Sequence, residues 1–136
     1  MCSRYAASAF GICLALMGPD LRAQVSDSAA VIAQAADYIA ADLSKDKLVI
    51  VADSLERAAR VQCLPRRPDS CRLMGANVVL QAVPIEINDN KARALVTVWR
   101  RGISARQPVH RVSYRLLLRR CERGWTVEKV EGMSST

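Results

Sequence analysis

Three of the five cysteines, the one histidine and a run of arginines are the residues of this chain whose types and spacing suit chemistry; Cys2 and Cys13 fall in the N-terminal segment expected to be cleaved. Cys63 and Cys71 bracket Leu64 to Ser70, where Pro65 and Pro68 preclude a regular helix or a central strand. In an oxidising compartment such a pair is expected to close a short loop as a disulfide, worth about 2 to 3 kcal/mol by chain entropy. Cys63, Cys71, Cys121 and His110, the only histidine, would together offer four zinc ligands. The close pair lacks the two-to-four-residue gap of common structural zinc sites, so no metal is expected. Cys121 is then expected to be the odd cysteine, a buried thiol or an intermolecular partner. A lone imidazole gives a serine or cysteine no oriented base, so His110 reads as a surface or structural residue. There is no glycine-rich phosphate loop, no paired metal carboxylates and no cofactor motif, and no cofactor is expected.

The arginines form the larger feature. The chain carries a formal net charge of +7, and its basic residues concentrate between Arg100 and Arg123, where Glu122 is the only acid. If the strand that starts near Val109 alternates as its pattern says, Arg111, Arg115 and Arg119 share one side of it, and the neighbouring strand adds Arg93 and Arg101. Such a cluster suits an anionic partner: a membrane surface or a polyanion such as an acidic polysaccharide. Nucleic acid is not expected, because at least some of the four large aromatics after the signal, Tyr38, Trp99, Tyr114 and Trp125, are needed for the core and few are left for base stacking. A solvated sheet face in a composition that prefers arginine to lysine is the competing reading of the same residues.

The elements that must position these residues fall in two halves. From Ser26 to Leu43 the chain is alanine-rich, and Ile32, Ala36, Ile39 and Leu43 recur at helical spacing, so an amphipathic helix is expected with Ser26, Asp27 or Ser28 as its cap. Leu48 to Val51 reads as a buried strand. Asp53 and Glu56 have capping-box spacing and predict a short second helix, carrying Leu55, Ala58, Ala59 and Val61, that ends before Pro65. Beyond Val83 the period becomes two. Val83, Ile85 and Ile87 lead through the turn signal Asn88, Asp89, Asn90 to Ala94, Val96 and Val98, and Pro84 marks an edge or a bulge. Val112, Tyr114, Leu116 and Leu118 face one way in a long strand, and a tight turn at Gly124 leads to a last strand with Trp125, Val127 and Val130. The expectation is an α+β domain, an N-terminal helix packed on a curved antiparallel sheet of about four to five strands.

The first residues read differently. Arg4, an uncharged apolar run from Ala6 to Gly18 and a small residue at Ala23 follow the three-part layout of a secretory signal peptide. The run is short of the roughly 20 apolar residues that span a bilayer. The expected division is therefore residues 1–23 as signal peptide and 24–136 as a single exported α+β domain, periplasmic or secreted, with no transmembrane segment after cleavage. Arg4, Arg22 and Asp20 leave with the signal, so eighteen basic and twelve acidic residues remain.

The order of elements, and above all the ending Tyr114 to Glu131 (YRLLLRRCERGWTVEKVE), resembles the nuclear transport factor 2-like, cystatin-like group of folds. The resemblance implies a long helix wrapped by a curved antiparallel sheet, with a conical pocket between them that suits a small apolar ligand. An enzyme of this group, of the isomerase or dehydratase type, would place a carboxylate and a tyrosine in that pocket, for which Asp53, Glu86 and Tyr114 are the candidates. Their bland readings are a helix cap, a solvent-facing strand residue and a core tyrosine. The fold hosts enzymes and binding modules alike, so the expectation here is a non-enzymatic exported binding or interaction domain, with the small pocket enzyme as the alternative.

Overall fold

The computed structural model describes residues 19–102 and 108–136, with side chains described outside residues 19–26, 68 and 69. Its elements are α1 (Pro19–Ala40), β1 (Leu48–Val51), α2 (Ser54–Arg60), β2 (Val61–Leu64), β3 (Arg67–Leu73), β4 (Val78–Ile87), β5 (Lys91–Arg100), β6 (His110–Cys121) and β7 (Gly124–Ser135). The expected signal segment lies mostly outside the described residues. The fold is α+β: a helix on a five-stranded sheet of order β1-β4-β5-β6-β7, with a separate two-stranded sheet made by β2 and β3.

Two details depart from expectation. The main sheet is mixed rather than wholly antiparallel, because β1 runs parallel to β4 in the register Leu48↔Val78 to Val51↔Gln81. A parallel neighbour needs a crossover connection, and α2 with the β2–β3 hairpin supplies it. The helix also starts earlier than the Ser26 to Ser28 cap, at Pro19. Proline is tolerated there because the first helical N–H groups have no intrahelical acceptor to lose.

The remaining strands form an antiparallel meander. Alternation sends Ala92, Ala94, Val96 and Val98 of β5 and Leu116 and Leu118 of β6 to one face, where they meet Val31, Ala35, Ala36 and Ile39 of α1. Alanines at Ala35, Ala36 and Ala94 let helix and sheet approach closely. On β4 the inward residues are Val78, Leu80 and Ala82, whereas Val83 and Ile85 are exposed. Val83 faces away from the core because it continues the alternation of Val78, Leu80 and Ala82. The ladder then slips between Pro84 and Glu86, with Ile85 as the extra residue, and this bulge turns Ile87 back toward the core. Pro84 lies beyond the last β1–β4 pair, so its missing N–H faces no β1 acceptor. At the β6–β7 turn Gly124 has φ +126°, a conformation only glycine adopts without strain.

A second, smaller cluster forms on the opposite face, where Val51, Val79 and Trp99 of the sheet pack against Leu73 and Ala76. Among the described residues of the crossover, only Leu73 and Ala76 are buried. In α2 no residue is buried, and Leu55, expected on its packed side, is 82% exposed. Local bonds define the helix instead: the Asp53 carboxylate accepts from the Glu56 N–H at 2.9 Å, and the Glu56 carboxylate accepts from the Ala52 N–H at 2.7 Å. This is the capping pair read from the sequence, with the return bond reaching one residue further back.

Candidate functional site

The disulfide is where the spacing puts it. Cys63 and Cys71 are directly opposed in the β2–β3 ladder, and their sulfurs are bonded. What was read as a crosslinked loop is a short hairpin, compatible with its prolines because the two-stranded sheet has only edge strands. With both sulfurs bonded to each other, neither remains to ligate a metal. Cys121 is also disulfide-bonded, which corrects the expectation of an odd thiol at the end of β6. His110 is exposed at the start of β6, opposite Arg100.

Five arginines were expected to form one cluster free of acids, and the structure divides them. Register places Arg93, Arg111, Arg115 and Arg119 on the sheet face that α1 does not cover. Residues four apart on a strand are about 13 Å apart, so Ser113 and Leu117 separate the three β6 arginines. Arg93 is clamped between Glu86 and Glu131, each at 3.0 Å. Arg119 pairs with Glu128 at 3.1 Å. Arg101 lies just past β5 and donates to the Leu73 carbonyl at 2.9 Å, tying the crossover hairpin to the sheet. Arg101, Arg111 and Arg115 carry no ion pair among the described residues, and Arg111 Nε donates to the Thr136 hydroxyl at 3.2 Å. The acids escaped notice because β4 and β7 bring them across the ladder, beyond the reach of strand-local pattern.

The stems of these arginines still have work to do. Leu117 sits among outward-facing neighbours yet is only 7% exposed. Its ladder partners are Arg93 and Lys129, side chains whose aliphatic stems suit the cover of an apolar neighbour while their charged ends stay in water.

Arg93 sets the local electrostatics. The Asn88 amide, which donates to Glu86 at 3.0 Å, and then the Arg93 guanidinium hold the Glu86 carboxyl below the usual carboxylate range. Glu131, followed by Glu86, raises Arg93 above its ordinary value. A depressed carboxylate pKa stabilises the fold above the unfolded-state pKa, and the contribution is lost as pH falls through the folded one. NMR titration of the Glu86 side chain is expected to show a midpoint below that of an ordinary glutamate, and Arg93→Ala should move it back upward. An unchanged midpoint would mean that the Asn88 bond alone sets it.

The three candidates for a pocket enzyme do not come together. Asp53 caps α2, Glu86 lies on the arginine face, and Tyr114 packs against the core under α1, on the other side of the sheet. A different polar group, unseen in the sequence, ties α1 to the sheet. Asp27 pairs with Arg120 at 2.7 Å and accepts from the Trp125 indole at 3.5 Å, and the Arg120 guanidinium lies 5.4 Å from the centre of the Trp125 ring. Arg120 also donates to the Asp89 carbonyl at 3.3 Å. Asp27, Ser28, Ile87, Asn88, Asp89 and Arg120 line an open cleft of about 460 Å³ at this end of the sheet. No local signal pointed here, because Asp27 and Arg120 are 93 residues apart.

No described helix is long and apolar enough to cross a membrane, and no group of three or more potential metal ligands occurs among the described residues. No family model matches the chain, and neither a curated protein nor a solved structure matches it.

Proposed function

We propose that this chain is an exported, non-enzymatic binding domain that engages an anionic partner through the sheet face opposite α1, with Arg111 and Arg115 as its contacts. The observation that carries the reading is the division of the arginines. The neighbouring acids are consumed by Arg93 and Arg119, which leaves Arg111 and Arg115 as exposed cations on an open face. Lys129, opposite Leu117, adds a further exposed charge. Two or three cations around an open surface attract a polyanion and release its counterions, whereas one isolated charge does little. The Cys63–Cys71 disulfide supports the export part of the reading, since such bonds persist in oxidising compartments. The cleft beside Asp27 has mostly polar walls and suits a small apolar ligand less well.

Retention on a heparin column tests the proposal. The protein is expected to elute above physiological salt, and Arg111→Ser with Arg115→Ser should elute markedly earlier. The pairs at Arg93 and Arg119 predict that Arg119→Ser alone changes elution little. Equal retention of the double variant would leave the solvated face as the account of these residues.

A further inference from the structure

The crossover between β1 and β4 is costly to explain as structure alone. A crossover needs only to return the chain to the same edge of the sheet, yet residues 52–60 and 62–67 here are almost wholly exposed. A disulfide fixes the hairpin at Cys63–Cys71, immediately behind its tip. The tip is the two-residue turn Pro65–Arg66, flanked by the opposed residues Leu64 and Arg67. Leu64 is 58% exposed. Arg57, Arg60, Arg66, Arg67 and Arg72 belong to the same excursion, and none has an ion pair among the described residues. Asp53 and Glu56 are occupied in capping α2.

The base of this arm fixes its direction. Leu73 and Val61 pack on Val79 and Trp99, on the sheet face away from α1, and Arg101 bonds the Leu73 carbonyl. Trp99 is the ladder partner of Arg111. The arm therefore rises from the face that carries Arg111 and Arg115.

We infer that the stapled tip Leu64–Arg67 is a membrane-docking finger, which sets Leu64 and Pro65 into the interface of an anionic lipid bilayer while Arg66 and Arg67 hold its phosphates. The inference deepens the proposed anion-binding reading by naming the partner, and it rests on that reading for the role of the sheet face. Charge complementarity supports it: five arginines face one acid, Asp69, between Arg57 and Arg72. A soluble polyanion would need the cations only. An exposed leucine beside them matches a bilayer, where an apolar anchor and neighbouring cations act together. From Ser54 to Met74 there is no aromatic residue, which removes the stacking platform a single-stranded nucleic acid would use. The disulfide holds the turn in its exposed form, so little ordering cost is left for docking.

Sedimentation with vesicles tests it. The full chain is expected to bind vesicles of phosphatidylglycerol and phosphatidylcholine in equal parts, and not phosphatidylcholine alone. With about 1 kcal/mol for each arginine near the surface, Arg66→Ser with Arg67→Ser should weaken partition about thirtyfold. Both side chains are exposed and make no bond among the described residues, so the variant should fold normally, which circular dichroism checks. Leu64→Trp should show a blue-shifted emission on binding and quenching by brominated acyl chains. Binding without quenching would overturn insertion of the tip, as would unchanged partition of the double variant. Retention on heparin with no vesicle binding would assign the partner to a soluble polyanion: the finger fails and the sheet reading stands. Insertion that persists while Arg111→Ser with Arg115→Ser leaves both heparin and vesicle binding unchanged would have the reverse meaning.

Discussion

Leu116→Ala is expected to cost about 3 to 4 kcal/mol of unfolding free energy, more than any other change considered. Leu116 is fully buried on β6, opposite Ala94 on one side and Val130 on the other, and it faces α1. Small alanines already surround it at Ala92, Ala94 and along α1. The gap left by truncation therefore has few flexible neighbours to collapse into it, and the loss should approach the upper part of the usual range. Urea unfolding measures it through a lowered midpoint at unchanged slope. Leu117→Ala makes the control. Its side chain lies on the opposite face under solvated arginine stems, which can settle, so its cost should be at most about half as large. Equal costs would contradict the assignment of the main core to the α1 face.

The second large effect is local. Changing Cys63→Ser and Cys71→Ser together removes a closure of nine residues, worth about 2 to 3 kcal/mol by chain entropy. The hairpin is joined to the main sheet by the Leu73 cluster and the Arg101 bond. Most of the loss should therefore appear as opening of β2 and β3 rather than of the whole domain. Amide exchange in β2 and β3 should accelerate on the order of 50-fold, while Leu80 and Val96 in the main core keep their protection. A comparable loss of protection in β4 and β5 would show that the hairpin folds as one unit with the sheet.

Much of this architecture was legible because it is written at short range. Period two in Val112 to Leu118 and in Ala94 to Val98 required one buried face per strand, and Ala94, Val96, Val98, Leu116 and Leu118 are in the core with Tyr114 packed against it. The Asp53 and Glu56 pair and the Cys63 and Cys71 pair also depend only on spacing. What escaped was set by register between strands. The bulge after Pro84 left Ile85 as an extra residue and put Ile87 on the core face that Val83 does not share, and the parallel pairing of β1 with β4 turned an antiparallel sheet into a mixed one. The candidate site suffered most. Arg93 looked free on its own strand, but β4 and β7 deliver Glu86 and Glu131 to it, while Arg57, Arg66, Arg67 and Arg72 drew no notice because no regular pattern framed them.

The tie between Asp27 and the Arg120–Trp125 pair has a consequence in time. Asp27 must wait for partners 93 and 98 residues later. The β4 to β7 meander can form from neighbouring hairpins, but α1 has no complete surface to settle on until β7 is in place. A loop of that length closes slowly, and folding dominated by such distant contacts is slow in turn. As the ribosome delivers the chain from its first residue, the helix emerges early and idles, an apolar stripe awaiting its sheet and a natural client for a holding chaperone. Folding should finish only when Trp125 has left the exit tunnel, so the chain stays open and threadable through most of its synthesis.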